Sequence, residues 1–218
     1  MSTARLILIV VPLVLIPTMA AAFPACVSRW GFRRGYFAAF CIYWFVWCLA
    51  IPWSAFGREI FGLFRATPRP FGSPAALGML ALAAPLCLGF GYAFPKAIRQ
   101  ADAAVVLLSA GIAAVNAPLE ELLWRGAYLG VFPDDWLLGY VYPSIGFALW
   151  HLAPLRVAPN RAPGGNWSFV LVSGLVGCLW GWVARTSGSI LWTTAAHVLF
   201  DFSGLGASIY VRRPRGGA

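Results

Sequence analysis

Five residues of this chain could do chemistry, and all five sit in sequence that is otherwise apolar: Glu120, Glu121, His151, His197 and Asp201. They include both of its 2 histidines and three of its 7 acidic residues. An ionisable group at membrane depth costs at least ~2.5 kcal/mol on insertion scales, so it persists where it faces a protein interior or a wet cavity and has work to do there.

Spacing divides these residues. In Asn116-Ala-Pro-Leu-Glu120-Glu121-Leu-Leu-Trp-Arg125, Glu121 and Arg125 stand four apart on one helical face and can pair, while Glu120 points about 100° away. The pair reads as a structural brace, and Glu120 is left free to act as a general base. Two further motifs follow, Phe147-Ala-Leu-Trp-His151 and His197-Val-Leu-Phe-Asp201. Each places a histidine one turn from a same-face partner. Phe147 is expected to pack against its histidine or lipid.

Turns set the depth of these groups. Asp134 and Asp135, expected to be solvated, lie almost midway between Glu120 and His151 in sequence. An antiparallel hairpin therefore returns both to one level, roughly 20–25 Å from the turn at 1.5 Å per residue. His197 lies about 15 Å beyond the turn near Ser187, on the same side of the membrane, and Asp201 one turn further. Such a convergence makes a workable hydrolytic centre. Glu120 with His151 can hold and deprotonate a water that attacks a peptide carbonyl, and His197 held by Asp201 can donate to the oxyanion.

A serine or cysteine nucleophile has less support, because the chain has no GxSxG and no cysteine at helical spacing from either histidine. No cofactor is required. Zinc is the alternative, with Glu120, His151 and His197 as three ligands and water as a fourth; there is no HExxH.

The elements that position these residues are membrane helices. Of 218 residues, 61% are hydrophobic and 11% charged, against about 25% charged in soluble proteins. Apolar stretches fall at about 6–23, 35–56, 75–94, 103–131, 137–155, 168–184 and 189–210. The expected architecture is an all-α polytopic transmembrane bundle of about seven spanning helices. A single integral-membrane domain then occupies 1–218. Pro118 is expected to loosen its helix and open space beside Glu120. Of the 5 cysteines, four lie in apolar runs, where Cys behaves as a small buried hydrophobe; no disulfide framework is expected. The first apolar run could pass for a signal peptide, with Ala20-Ala21-Ala22 as a small-residue site, but an uncleaved first span is the favoured reading.

The net charge of +9 does not form one basic stripe, so nucleic acid is not an expected partner. Arg29, Arg33, Arg34, Lys96, Arg99, Arg156, Arg161, Arg212, Arg213 and Arg215 fall on one side of a seven-helix arrangement, and Arg5, Arg58, Arg65, Arg69 and Arg185 on the other. By the positive-inside rule the first side is cytoplasmic, with the amino terminus outside and the carboxyl terminus inside. The active site then lies toward the cytoplasmic half. Trp30, Tyr92, Trp136 and Trp167 suit an interfacial belt, and the Arg212–Arg215 cluster a headgroup anchor.

The ordered trio EExxxR, FxxxH and HxxxD resembles the CAAX prenyl endopeptidase type II family, also called the CPBP or abortive-infection-like intramembrane proteases. The resemblance covers about residues 103–205, a CPBP-like catalytic core. It implies an all-helical membrane fold and glutamate-dependent (glutamic-type) hydrolysis, although many members carry the older label of metalloprotease. By position, Glu120 matches the water-activating base and His151 its partner, Glu121 and Arg125 the bracing pair, and His197 with residue 201 the oxyanion-stabilising pair. Residue 201 is often Asn in the family, whereas an ionised Asp201 cannot donate. Its expected role is therefore to orient His197, unless it is protonated.

The resemblance implies an endopeptidase of the bacterial inner membrane that cuts near the end of a membrane-tethered, prenylated or sorting-tail polypeptide, with the lipid bilayer as its other partner. Two rival classes fit part of the pattern. A proton-coupled transporter also buries Glu, His and Asp, but would carry paired repeats not seen here. A non-catalytic scaffold or immunity factor would share the fold with an idle site.

Overall fold

A computed structural model describes residues 2–211, so the expected anchor at Arg212, Arg213 and Arg215 lies outside the described residues. Among those described, helices dominate and no strand occurs. In chain order they are α1 (Thr3–Ile42), α2 (Ile51–Phe56), α3 (Ala75–Leu88), α4 (Phe94–Ile98), α5 (Ala103–Glu121) and α6 (Tyr128–Val131). Then come α7 (Tyr142–Trp150), α8 (Leu152–Leu155), α9 (Gly165–Ser187), α10 (Leu191–Ser203) and α11 (Ser208–Val211). Wider π turns join several of them into longer rods, at Tyr43–Ala50, Gly89–Ala93, Leu122–Ala127 and Leu137–Val141. The connector after α2 begins with a tighter 3₁₀ run at Gly57–Phe64.

Within α1 the chain folds back at Gly31, whose φ of 74° and ψ of 165° lie outside the helical region. That backbone is open to glycine and strained for other residues. The two legs then touch so closely that a Cβ on Gly35 would collide with the Cys26 carbonyl. Phe23 on the first leg meets Phe40 on the second edge-on, ring centroids 5.3 Å apart.

Four helical stretches are long and apolar enough to cross a membrane: Thr3–Phe64, Ala75–Ile98, Ala103–Val131 and Gly165–Ser187. The first includes both legs of the Gly31 hairpin. The apolar segment at about 137–155 is helical in three successive pieces, Leu137–Val141, α7 and α8, and that at about 189–210 contributes α10, of 13 residues, and α11. Continuous helix length alone picks out these four stretches. An integral-membrane, all-helical protein remains the class.

Lipid tails are as apolar as leucine, so packing and not water exclusion must join such helices. Large apolar side chains accordingly face outward, Leu13, Leu107 and Leu171 among them, each more than half exposed. The core holds Leu8, Leu15, Met19 and Phe23 of the first leg against Trp124, Tyr128 and Trp150, so the first apolar run is a structural wall of the bundle. Trp30, Tyr92, Trp136 and Trp167 are exposed, as a belt requires. Of the four cysteines in apolar runs Cys48 is buried as expected and Cys41 partly so, whereas Cys87 and Cys178 are exposed because their helices turn those faces outward; Cys26, outside those runs, is buried too. All five cysteines are free.

The site is positioned by two packed pairs, α5 along α10 and α7 along α9. Gly188 ends α9 in a left-handed conformation with φ 70°, and the next two residues tie the start of α10 to the segment after α2. The Ile190 amide donates to the Leu63 carbonyl at 2.9 Å, and the Ser189 hydroxyl donates to the Arg65 carbonyl at 2.6 Å. These bonds fix where along α5 the His197 turn falls.

Candidate active site

The Asp102 carboxylate caps α5, accepting from the Val105 amide at 2.8 Å. The helix continues through Pro118 without a break, and its widening comes later, at Leu122–Ala127. Glu120 and Glu121 end the regular helix, buried at 2% and 0% exposure, and they face different neighbours as the spacing requires.

Glu121 does more than brace Arg125. Its Oε1 lies 3.1 Å from the guanidinium and 3.0 Å from Nδ1 of His197, while Oε2 accepts from the Thr193 hydroxyl at 2.7 Å. One carboxylate therefore ties α5 to α10 through two residues a turn apart. Arg125 stacks over the Phe147 ring, 4.1 Å from its centroid, and its Nη2 has no hydrogen-bond partner. Phe147 meets His151 edge-on at 4.8 Å and His197 at 6.0 Å. The ring fits because residue 177 is glycine: a Cβ there would lie 2.9 Å from Phe147 Cδ1.

Glu120 is held on both oxygens. Oε1 accepts from the Tyr43 hydroxyl at 2.9 Å and from Trp150 Nε1 at 3.0 Å. Oε2 accepts from Asn116 Nδ2 at 3.2 Å and stands 3.5 Å from His197 Nε2. Asn116 also donates to Asp201 Oδ2 at 2.8 Å. Trp44 Nε1 fixes the sense of that amide by donating to its Oδ1 at 2.7 Å, since an indole nitrogen only donates. Asp201 Oδ1 is 3.5 Å from His197 Nε2, beyond hydrogen-bond length. The expected holding of His197 by Asp201 is thus shared: Glu121 grips Nδ1, and two carboxylates flank Nε2.

His151 ends α7 with Nδ1 2.7 Å from the Phe147 carbonyl. A carbonyl only accepts, so Nδ1 carries the proton and Nε2 is an acceptor. Among the described residues no hydrogen bond joins His151 to Glu120 directly. Instead both line a cavity of about 1190 Å³ together with Asn116, His197 and Asp201. Its wall continues past Arg161 and Tyr210, toward the segments assigned to the cytoplasmic side by arginine count. Among the described residues no group of three or more His, Cys, Asp or Glu side chains is arranged to hold a metal ion.

Sequence reasoning overlooked Tyr43, Trp44, Thr193 and Trp150, and gave Asn116 no role. Asn116 carried a signal, standing one turn before Glu120 on its face, and Trp150 is the neighbour of His151. Tyr43 carried none, since it meets Glu120 from 77 residues away.

The fold and the buried carboxylate–imidazole cluster define an all-helical integral membrane protein whose buried ionisable groups line a cavity. Residues 102–203 match the family model described as Rce1-like: Type II CAAX prenyl endopeptidase Rce1-like. That segment runs from the cap of α5 to the last residue of α10 and takes in Glu120, Glu121, Arg125, Phe147, His151, His197 and Asp201. It is a protease family, and at that level the chain is a membrane peptidase. No curated protein and no solved structure matches the chain.

Proposed function

We propose that the protein is an intramembrane, glutamate-dependent endopeptidase that hydrolyses a peptide bond near the end of a membrane-tethered, prenylated or sorting-tail polypeptide. The observation that carries this reading is Glu120, a carboxylate with 2% exposure that nonetheless lines a cavity shared with two imidazoles. Buried ionisable groups converging on a cavity are the usual mark of a reactive site.

The chemistry follows from the proton positions. A water between Glu120 Oε2 and the unprotonated Nε2 of His151 donates one hydrogen to each, which leaves a lone pair for the substrate carbonyl. Attack forms the carbon–oxygen bond as the proton passes to Glu120. His197 Nε2 donates to the oxyanion. Because Nδ1 already gives its proton to Glu121, this requires the doubly protonated ring, and the three surrounding carboxylates balance that charge. Collapse breaks the carbon–nitrogen bond, and Glu120 returns its proton to the leaving amine. Asp201 and Asn116 orient His197 and Glu120.

The cavity wall toward Arg161 and Tyr210 supports substrate entry from the cytoplasmic half of a bacterial inner membrane. The test compares purified wild type with Glu120→Ala on a panel of tail peptides, with Glu120→Gln used to trap substrate. Cleavage by wild type alone is expected. No cleavage of any peptide by wild type, with Glu120→Ala still complementing in cells, would favour the idle-site scaffold.

A further inference from the structure

The two oxygens of Glu120 are not equivalent, and one source of the difference, Tyr43, lies outside the segment that matches the family. Oε1 receives two neutral donors, the Tyr43 hydroxyl and the Trp150 indole. Those donors are themselves immobile. Trp124 Nε1 donates to the Tyr43 oxygen at 2.8 Å, so the hydroxyl must turn its own proton to the carboxylate. The Tyr43 ring lies flat on the Trp150 ring, centroids 3.5 Å apart and planes within 10°. Tyr43, Trp124 and Trp150 are all almost completely buried. An sp² oxygen has two lone pairs, and both of Oε1 are occupied. Oε2 has a single donor in Asn116, and the flanking His197 Nε2 lies at 3.5 Å.

We propose that Tyr43 and Trp150 are positioning residues that lock the Glu120 carboxylate by its Oε1 edge and reserve Oε2 as the oxygen that takes the proton from water and returns it to the leaving amine. A proton on Oε1 would face two N–H and O–H donors and displace at least one of them. A proton on Oε2 leaves both in place. The lock also fixes the direction of the free lone pair, so the carboxylate need not rotate between abstraction and return. This assignment rests on the peptidase reading and adds a residue from the second leg of the Gly31 hairpin to it.

The test uses the purified full chain with Tyr43→Phe, which keeps the ring and removes one donor, and Trp150→Phe as a second variant should the first fail to fold. On a tail peptide that wild type cleaves, each variant is expected to lose about 10- to 100-fold in kcat, the usual weight of a hydrogen bond to a charged group. KM should stay within about twofold, because the lost interaction serves proton transfer and not binding. The double variant should lose less than the product of the two, since both act on one oxygen.

A second readout needs no activity. The Tyr43→Phe melting shift should shrink by at least half in a Glu120→Ala background, where the acceptor is gone. An unchanged kcat in Tyr43→Phe and Trp150→Phe, or an equal melting shift in both backgrounds, overturns the lock. A fall in kcat matched by loss of folded protein also overturns it. The peptidase reading is judged apart, by whether wild type cleaves and Glu120→Ala does not.

Discussion

Adjacent glutamates should respond in opposite ways to the same isosteric change. Glu121→Gln keeps shape but removes the charge facing Arg125, which is 4% exposed and 3.1 Å away. Removing one member of a buried ion pair strands the other and costs about 3–5 kcal/mol. In a domain of this size about 2–4 °C is lost per kcal/mol, so the melting temperature should fall by about 6–20 °C. Activity should fall with it, because His197 loses the carboxylate on Nδ1. Glu120→Gln should behave otherwise. Its amide oxygen still accepts from Tyr43 and Trp150, and Arg125 keeps its partner, so the shift should stay within about 2–4 °C, or about 1 kcal/mol. Tryptophan-fluorescence melting of detergent-purified protein, with peptide cleavage on the same samples, measures both. Adding Arg125→Met to Glu121→Gln removes the stranded cation and should recover part of the loss. Wild-type melting in Glu121→Gln, or equal destabilisation by the two glutamine variants, would refute the division of roles.

Asp201→Asn should retain cleavage within about tenfold of wild type, a loss of no more than about 1.4 kcal/mol, since an amide oxygen can still accept from Asn116; a dead enzyme would assign Asp201 a charge-dependent step. Gly177→Ala drives a methyl group against the Phe147 ring and should cost about 1–3 kcal/mol, read as a lower melting temperature with a parallel loss of activity. Cleavage should survive exhaustive chelation, and elemental analysis should find no zinc; abolition by chelator with rescue by zinc would instead favour Glu120, His151 and His197 as ligands.

The legible part of this protein was local. Helical spacing separated Glu120 from Glu121, and turn positions brought Glu120, His151, His197 and Asp201 to one cavity. Two kinds of information lay beyond it. Contacts between distant segments leave no periodic trace, so Tyr43 and Trp44 stayed hidden in an apolar aromatic run. The direction of a ring is also set by its nearest acceptor. His151 turns its proton to the Phe147 carbonyl one turn back, a choice made by backbone geometry and invisible in the motif. The count of about seven crossings rested on apolar length in sequence, and length includes turns: the stretch at 189–210 is helical only in α10 and α11.

The shortness of α10 decides what kind of backbone lines the cavity. At 13 residues it rises about 20 Å, about 10 Å less than the hydrocarbon slab. Past Ser203 the chain continues as turns and a short helix, and residues 204 and 206–210 form part of the cavity wall. Backbone of that kind is tolerated at membrane depth only against protein or water. The cavity wall beyond α10 is therefore built of backbone suited to contact with protein or water and not with lipid.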